Sequence, residues 1–218
     1  MPAPLSSKPL GSLLSFVITE SKLSRDLGPT SIKIQLAFSN YLETLKADLL
    51  EVYRAAFRVP LYSKSSAEVN EFLRYLPIHA AQSGFRLVVA IEVETEKTIG
   101  FSYGRTVTAR LPWHELVKTP LRSAGFGEWL KDAYQIVEMA VIPAAQGQGV
   151  GSRLHDRLLE SLSHFRAVLT TMSTDSAAYR LYLNKGWRVL LDELFISGFA
   201  RSYRVMGLEL PYSTAQAA

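Results

Sequence analysis

Glu138 stands inside an otherwise apolar run, Gln135 to Val141. Burial raises the pKa of a carboxylate toward the range useful to a general base. Pro143 ends that run, since proline cannot donate to a sheet ladder. Then come Gln146-Gly147-Gln148-Gly149-Val150-Gly151 and, at helical spacing, Val150, Leu154, Leu158 and Leu162. The first amides of a helix have no partner within it and sit at the positive end of its dipole. Glycines let a bulky anion approach those amides closely. Residues 146–151 therefore offer their backbone to a phosphorylated ligand.

The elements that must position these groups follow from the pattern. Gln135 to Val141 is a largely buried strand, the glycines form a turn, and a helix starts near Val150. An ordinary tight strand-to-helix turn would read the same way. Gly147, Gly149 and Gly151 give G-x-G-x-G, not the G-x-G-x-x-G of dinucleotide sites, and no Gly-Lys-Ser/Thr ends the loop as in a P-loop.

The wider context is more specific. The stretch from Val141 to Gly151, V-x-P-x-x-Q-G-x-G-V-G, resembles the acyl-CoA loop of the GNAT N-acetyltransferase superfamily, with Gln146, Gly149 and Gly151 on its core pattern. A further strand, Ala167 to Met172, is followed by Asp175, Ala178, Leu181, Tyr182, Gly186 and Trp187, which fill that family's second signature. Asp175 departs from it, since asparagine is usual there. The motifs span Tyr134 to Trp187, and the element order extends the resemblance from about Ile32 to Leu210.

The resemblance implies acetyl transfer from acetyl-CoA, a cosubstrate, to a primary amine by direct attack in a ternary complex, without a metal. A protein N-terminus or lysine is the alternative acceptor to a small molecule, and a non-catalytic acyl-CoA sensor is the alternative of another class. In the family, the tyrosine at the position of Tyr182 lies beside the thioester sulfur. A phenol, with a pKa near 10, can return a proton to a departing thiolate. Glu138 is the candidate base, or else a carboxylate paired with a nearby arginine. The implied cofactor-binding set is Met139, Val141, Gln146, Gly147, Gln148, Gly149, Val150, Gly151, Ser152 and Asp175. A backbone N–H of Met139 or Val141 is the candidate oxyanion donor, because in this family the strand splays from its neighbour there. Arg153 and Arg157 could meet a ribose phosphate or simply face solvent.

Composition bounds the rest. With no cysteine there is no thiolate nucleophile, disulfide or Cys-based metal site, and His79, His114, His155 and His164 lack paired ligand spacing. The net charge of +4 is spread out, with no dense basic run, so no nucleic-acid partner is expected. No apolar run reaches membrane-spanning length and Leu13 to Ile18 lacks signal-peptide flanks, so a soluble cytoplasmic protein, monomer or homodimer, is expected.

In chain order, residues 1–30 read as a partly mobile N-terminal extension, with Leu13 to Leu23 a candidate short element. Ile32 to Phe38 alternates as a first strand. A helix capped by Ser39 or Asn40 follows, ending before Pro60, and a second spans Ser66 to Ala80 with Pro77 kinking or shortening it. Tyr53, Phe57 and Tyr75 line an acceptor pocket or belong to plain core. Phe85 to Val93 and Thr98 to Thr106 form a hairpin. Residues 107–133 read as a long, largely loop-like insertion, either a lid in which Trp113, Phe126, Trp129, Glu128 and Asp132 meet the acceptor or a surface insertion whose tryptophans pack on the core. One helical turn is expected at Glu128 to Lys131. Trp187 to Phe195 and Arg201 to Leu210 make a closing strand pair around Gly198, and 212–218 is a loose tail. The predicted fold is α/β (α+β): one GNAT-like domain over 31–211, a mixed twisted sheet with helices on both faces.

Overall fold

A computed structural model describes residues 31–37, 39–59, 62, 64–196 and 201–211. The N-terminal extension, Pro60, Gly198 and the tail 212–218 lie outside the described residues. The strands are β1 (Ile32–Ala37), β2 (Arg86–Glu92), β3 (Thr98–Thr106), β4 (Ala133–Val141), β5 (Arg166–Met172), β6 (Arg188–Phe195) and β7 (Ser202–Glu209). The helices are α1 (Leu42–Phe57), α2 (Ser66–Ala80), α3 (Pro112–Ser123), α4 (Val150–Leu159) and α5 (Ala177–Asn184).

The strands form one mixed sheet in the order β1-β2-β3-β4-β5-β7-β6. Neighbours are antiparallel except β4 and β5, which run parallel and pair only at Ala133–Arg166, Tyr134–Ala167 and Gln135–Val168. Beyond Gln135 the two strands diverge.

Strand alternation sends successive side chains to opposite faces. Val89, Phe101, Tyr103 and Ala140 meet α1 and α2 through Leu49, Val52, Phe72 and Leu76. On the same face, Val168, Val205 and Leu190 pack against Val117 and Leu121 of α3. The opposite face carries Val88, Ala90, Leu169 and Met206 against Val150, Leu154 and Leu158 of α4 and Tyr182 of α5. Among the described residues, three helices therefore cover one face and two the other.

Local chemistry sets the helix starts. Ser65 caps α2 in a reciprocal capping box with Glu68, and Pro77 lies within that helix instead of ending it. The cap predicted for α1 is corrected: Ser39–Tyr41 form a 3-10 turn, and the N-cap position falls on Tyr41 without a side-chain hydrogen bond. Residues 107–133 are also corrected. The middle of this stretch is α3, begun by Pro112 at its first turn, followed by a 3-10 turn at Gly127–Leu130.

Candidate functional site

The divergence of β4 from β5 opens a cleft of about 510 Å³. Glu138 and Met139 of β4, Thr170 to Met172 at the end of β5, Ala178 and Tyr182 of α5, Phe57 of α1, Lys64, Glu68 and Tyr203 all line it. Two catalytic candidates distant in sequence, Glu138 and Tyr182, thus share one cavity. A second cavity of about 410 Å³, between β1 and α1, is lined by none of the residues singled out above.

A β-bulge aims Glu138. The β3–β4 register shifts between Tyr103 and Gly104, leaving Val137 as the extra residue. Strict alternation from Ile136, which packs on the α4–α5 side, would send Glu138 to that same side. The extra residue instead places it opposite Tyr103, on the α1–α2 face. There its carboxylate is held above the usual carboxylate range by burial, an effect opposed by the Lys64 charge, the Met139 amide and the Tyr53 phenol.

Pairing also fixes which amides of β4 turn away from β3. Ile142 N–H bonds the Ile99 carbonyl on β3 at 2.9 Å, so by alternation Met139 and Val141 turn theirs toward the β5 side. The Met139 amide is drawn to the Glu138 carboxylate, which leaves the Val141 N–H. The Val141 carbonyl is already bound by the Gln146 side chain at 2.9 Å.

Tyr182 is buried, and its phenol is pushed far above its ordinary pKa, first by burial and then by the Glu138 and Tyr62 charges. The phenol therefore stays protonated in this setting. Trp187 packs beside it at 5.6 Å between ring centroids, with His155 at 6.4 Å. The Trp187 indole N–H donates to His155 Nε2 at 2.9 Å, so His155 donates from Nδ1 to Asp156 at 2.9 Å. Lys185 closes the chain on Asp156 at 2.6 Å. This brace ties α4 to α5 and β6 behind Tyr182.

The glycine loop has the geometry of an anion cradle. Gly147 and Gly149 take positive φ of 75° and 77°, and a Cβ on either would meet no protein atom within 4 Å. Gly149 is the N-cap of α4. The amides of residues 147–149 donate no backbone hydrogen bond among the described residues. Open space over unpaired amides fits a diphosphate. Gly151 links loop to cleft, since a Cβ there would lie 3.5 Å from Leu181 and 3.9 Å from Met139. The side chains contribute differently. Gln148 donates to the Ala144 carbonyl at 2.8 Å, and Val150 is buried in the core. The loop thus presents its backbone.

Other candidates lie elsewhere. Asp175 is exposed and paired with Arg180 at 2.7 Å, while Ser176 caps α5. Arg153 donates to the Ile32 carbonyl at 2.8 Å and Arg157 pairs with Glu160. Phe57 reaches the cleft, whereas Tyr53 is core and Tyr75 is exposed beside His79. No residue of 107–133 lines the cleft among the described residues. Trp113 reaches it only indirectly, donating to Thr170 at 2.7 Å. Trp129 and Phe126 pack in the third core cluster, Glu128 pairs with Lys131, and Asp132 accepts the Phe165 amide. Lys64 and Thr170 were not singled out from the sequence; Lys64 follows the ragged end of α1 and carries no motif. Among the described residues no group of acidic residues and histidines could hold a metal, and no helix is long and apolar enough to cross a membrane.

The parallel pair β4–β5 splays beside α4, whose N-cap is Gly149. A model of the acetyltransferase (GNAT) family matches residues 47–187, and the chain belongs to that family. A GCN5-like protein acetyltransferase of Mycobacterium tuberculosis is 27% identical over 130 residues, 56% of this chain. The match spans 63% of that relative's length. An acetyltransferase of the GNAT family from Staphylococcus aureus superposes with a TM-score of 0.58 at 16% identity, over 83% of this chain and all of that one. The PaiA N-acetyltransferase of Thermoplasma acidophilum, in complex with coenzyme A, gives 0.54 at 13%, over 83% of this chain and 99% of the other.

Proposed function

We propose that this protein transfers the acetyl group of acetyl-CoA to a primary amine by direct attack in a ternary complex. The observation that carries this is the joining of Glu138 and Tyr182 in the cleft between β4 and β5, next to an open glycine loop. The pyrophosphate would rest on the amides of residues 147–152 and the pantetheine would enter between the strands. Glu138, ionised, takes the proton of the attacking amine, directly or through water. The Val141 N–H stabilises the charge that develops on the carbonyl oxygen. Tyr182 returns a proton to the departing sulfur.

The bearer of the amine is the finer question. An enclosing lid over 107–133 would have favoured a small molecule. Because α3 packs on the sheet and lines none of the cleft, the cleft favours an amine presented by a polypeptide, the substrate type in the name of the mycobacterial relative. Release of CoA measured with small amines and with lysine-containing and free-N-terminus peptides tests both parts. Turnover of peptides over small amines supports the polypeptide reading, and the reverse restores the small molecule. No release with any amine, despite acetyl-CoA binding, would favour a sensor.

A further inference from the structure

Thr170 lines the cleft from β5, and its hydroxyl is held from behind. The indole N–H of Trp113, on the first turn of α3, donates to Thr170 Oγ1 at 2.7 Å. An indole nitrogen only donates, whereas a threonine hydroxyl accepts and also donates once. Trp113 therefore occupies an oxygen lone pair and leaves the Thr170 proton unused. Among the described residues that proton has no acceptor. A cleft wall that presents a spare donor suits a ligand that brings a hydrogen-bond acceptor.

Position decides which ligand that is. Strand alternation puts Thr170 on the face of Val168, which packs against α3, whereas Leu169 packs toward α4. The glycine loop opens α4 and so belongs to the opposite face. The bulge carries Glu138 to the α1–α2 face, so Glu138 and Thr170 share a face across the opening between β4 and β5. That is the side from which an acceptor amine reaches Glu138. The charged residues lining the cleft are Lys64, Glu68, Glu138 and Arg201. Lys64 donates to Tyr53, Glu68 is held in the capping box by Ser65, and Arg201 donates to the Tyr62 carbonyl at 3.3 Å and the Met172 sulfur at 3.8 Å. None of them bonds Thr170.

Paired strands lie ~4.8 Å apart. The last β4–β5 pair is Gln135–Val168, so at Glu138 and Thr170 the strands have only begun to part. An α-amine and the carbonyl oxygen of its own residue fit such a span. A lysine ε-amine stands off its backbone on a four-carbon stem, which carries the carbonyl out of reach. We propose that the Thr170 hydroxyl, set by Trp113, donates to the carbonyl oxygen beside the attacking amine and so selects the N-terminus of a polypeptide over lysine side chains and simple alkylamines. The inference rests on the acetyl-transfer reading of the same cleft.

The test compares kcat/KM for a lysine-free peptide with a free N-terminus, an N-blocked lysine peptide and a simple alkylamine. The proteins are wild type, Thr170→Val, Thr170→Ser and the double variant Trp113→Phe/Thr170→Val, each titrated with acetyl-CoA by calorimetry. Thr170→Val keeps the shape and removes the proton; the double variant also removes the indole donor that valine would strand. Wild type should prefer the free N-terminus. Thr170→Val and the double variant should lower kcat/KM for that peptide roughly five- to tenfold through KM, the size of one hydrogen bond. The other two amines and acetyl-CoA affinity should be unchanged, and Thr170→Ser should restore the preference. An equal loss on all three amines, or a loss of acetyl-CoA affinity, would assign Thr170 to packing or to the cofactor and overturn the inference. A wild type that transfers acetyl but prefers lysine or the alkylamine would overturn it alone. If wild type binds acetyl-CoA and acetylates none of the amines, the acetyl-transfer reading fails first and the inference with it.

Discussion

Trp129→Ala separates a structural role for residues 107–133 from a substrate-binding one. The indole is 5% exposed and lies so close on β7 that a Cβ at Gly207 would come within 2.4 Å of its ring. Leu190 and Val205 share its cluster, and the Arg188 and Arg166 guanidinium groups stand 4.5 and 5.6 Å from the ring centroid. Truncating a buried aromatic of this kind costs about 3–5 kcal/mol, because the rigid backbone beneath cannot collapse into the space. At about 2–4 °C per kcal/mol for a chain of this size, the melting temperature should fall by roughly 10 °C. Thermal and urea melts give the stability, and acetyl-CoA titration with acceptor KM, both measured well below the transition, give the function. Both affinities should be near wild type in the folded fraction. An unchanged melting temperature with a raised acceptor KM would refute the packing account and restore the lid.

Three further outcomes are expected. Gly149→Ala adds a Cβ over the open amides at positive φ; it should cost about 1–2 kcal/mol of stability and weaken acetyl-CoA binding at least tenfold by calorimetry, whereas unchanged affinity would move the diphosphate elsewhere. Tyr182→Phe should lower turnover by ~10²–10⁴-fold at saturating substrates with acetyl-CoA affinity kept, and full activity would assign the proton to water. Burial, aided by Arg105, lowers the pKa of His79 to about 4, below its unfolded value near 6.5. The unfolded chain therefore binds the extra proton first, and stability present above pH 6.5 is lost as pH falls toward 4, a loss reduced in size by the partial exposure of the ring. His79→Gln should flatten that slope in urea melts at pH 7 and pH 4.5; parallel slopes for the two proteins would contradict it.

What the sequence made legible was local. The strand, glycine turn and helix around Gly149 depend on neighbours in the chain, and their spacing shows directly. Glu138 and Tyr182 stood out through type and motif. Lys64 was hidden because its meaning comes from its bond to Tyr53 and its place in the cleft, which chain spacing does not encode. The aim of Glu138 was also hidden, since the bulge at Val137 exists only relative to β3. In the 107–133 stretch the packing of the tryptophans was one of the two readings, but the helix was missed because the prolines and glycines suggested a loop. Pro112 is a helix-starting residue, and Trp113, Leu116, Val117, Pro120 and Leu121 carry helical spacing.

The most direct measurement is a crystal structure of the protein with acetyl-CoA. The account predicts the pyrophosphate on the amides of residues 147–152, the thioester between β4 and β5 with its carbonyl oxygen at the Val141 N–H, the sulfur beside the Tyr182 hydroxyl, and Glu138 facing the acetyl group from the α1–α2 side. Acetyl-CoA bound in the cavity between β1 and α1, or with its thioester away from both Tyr182 and Glu138, would contradict it.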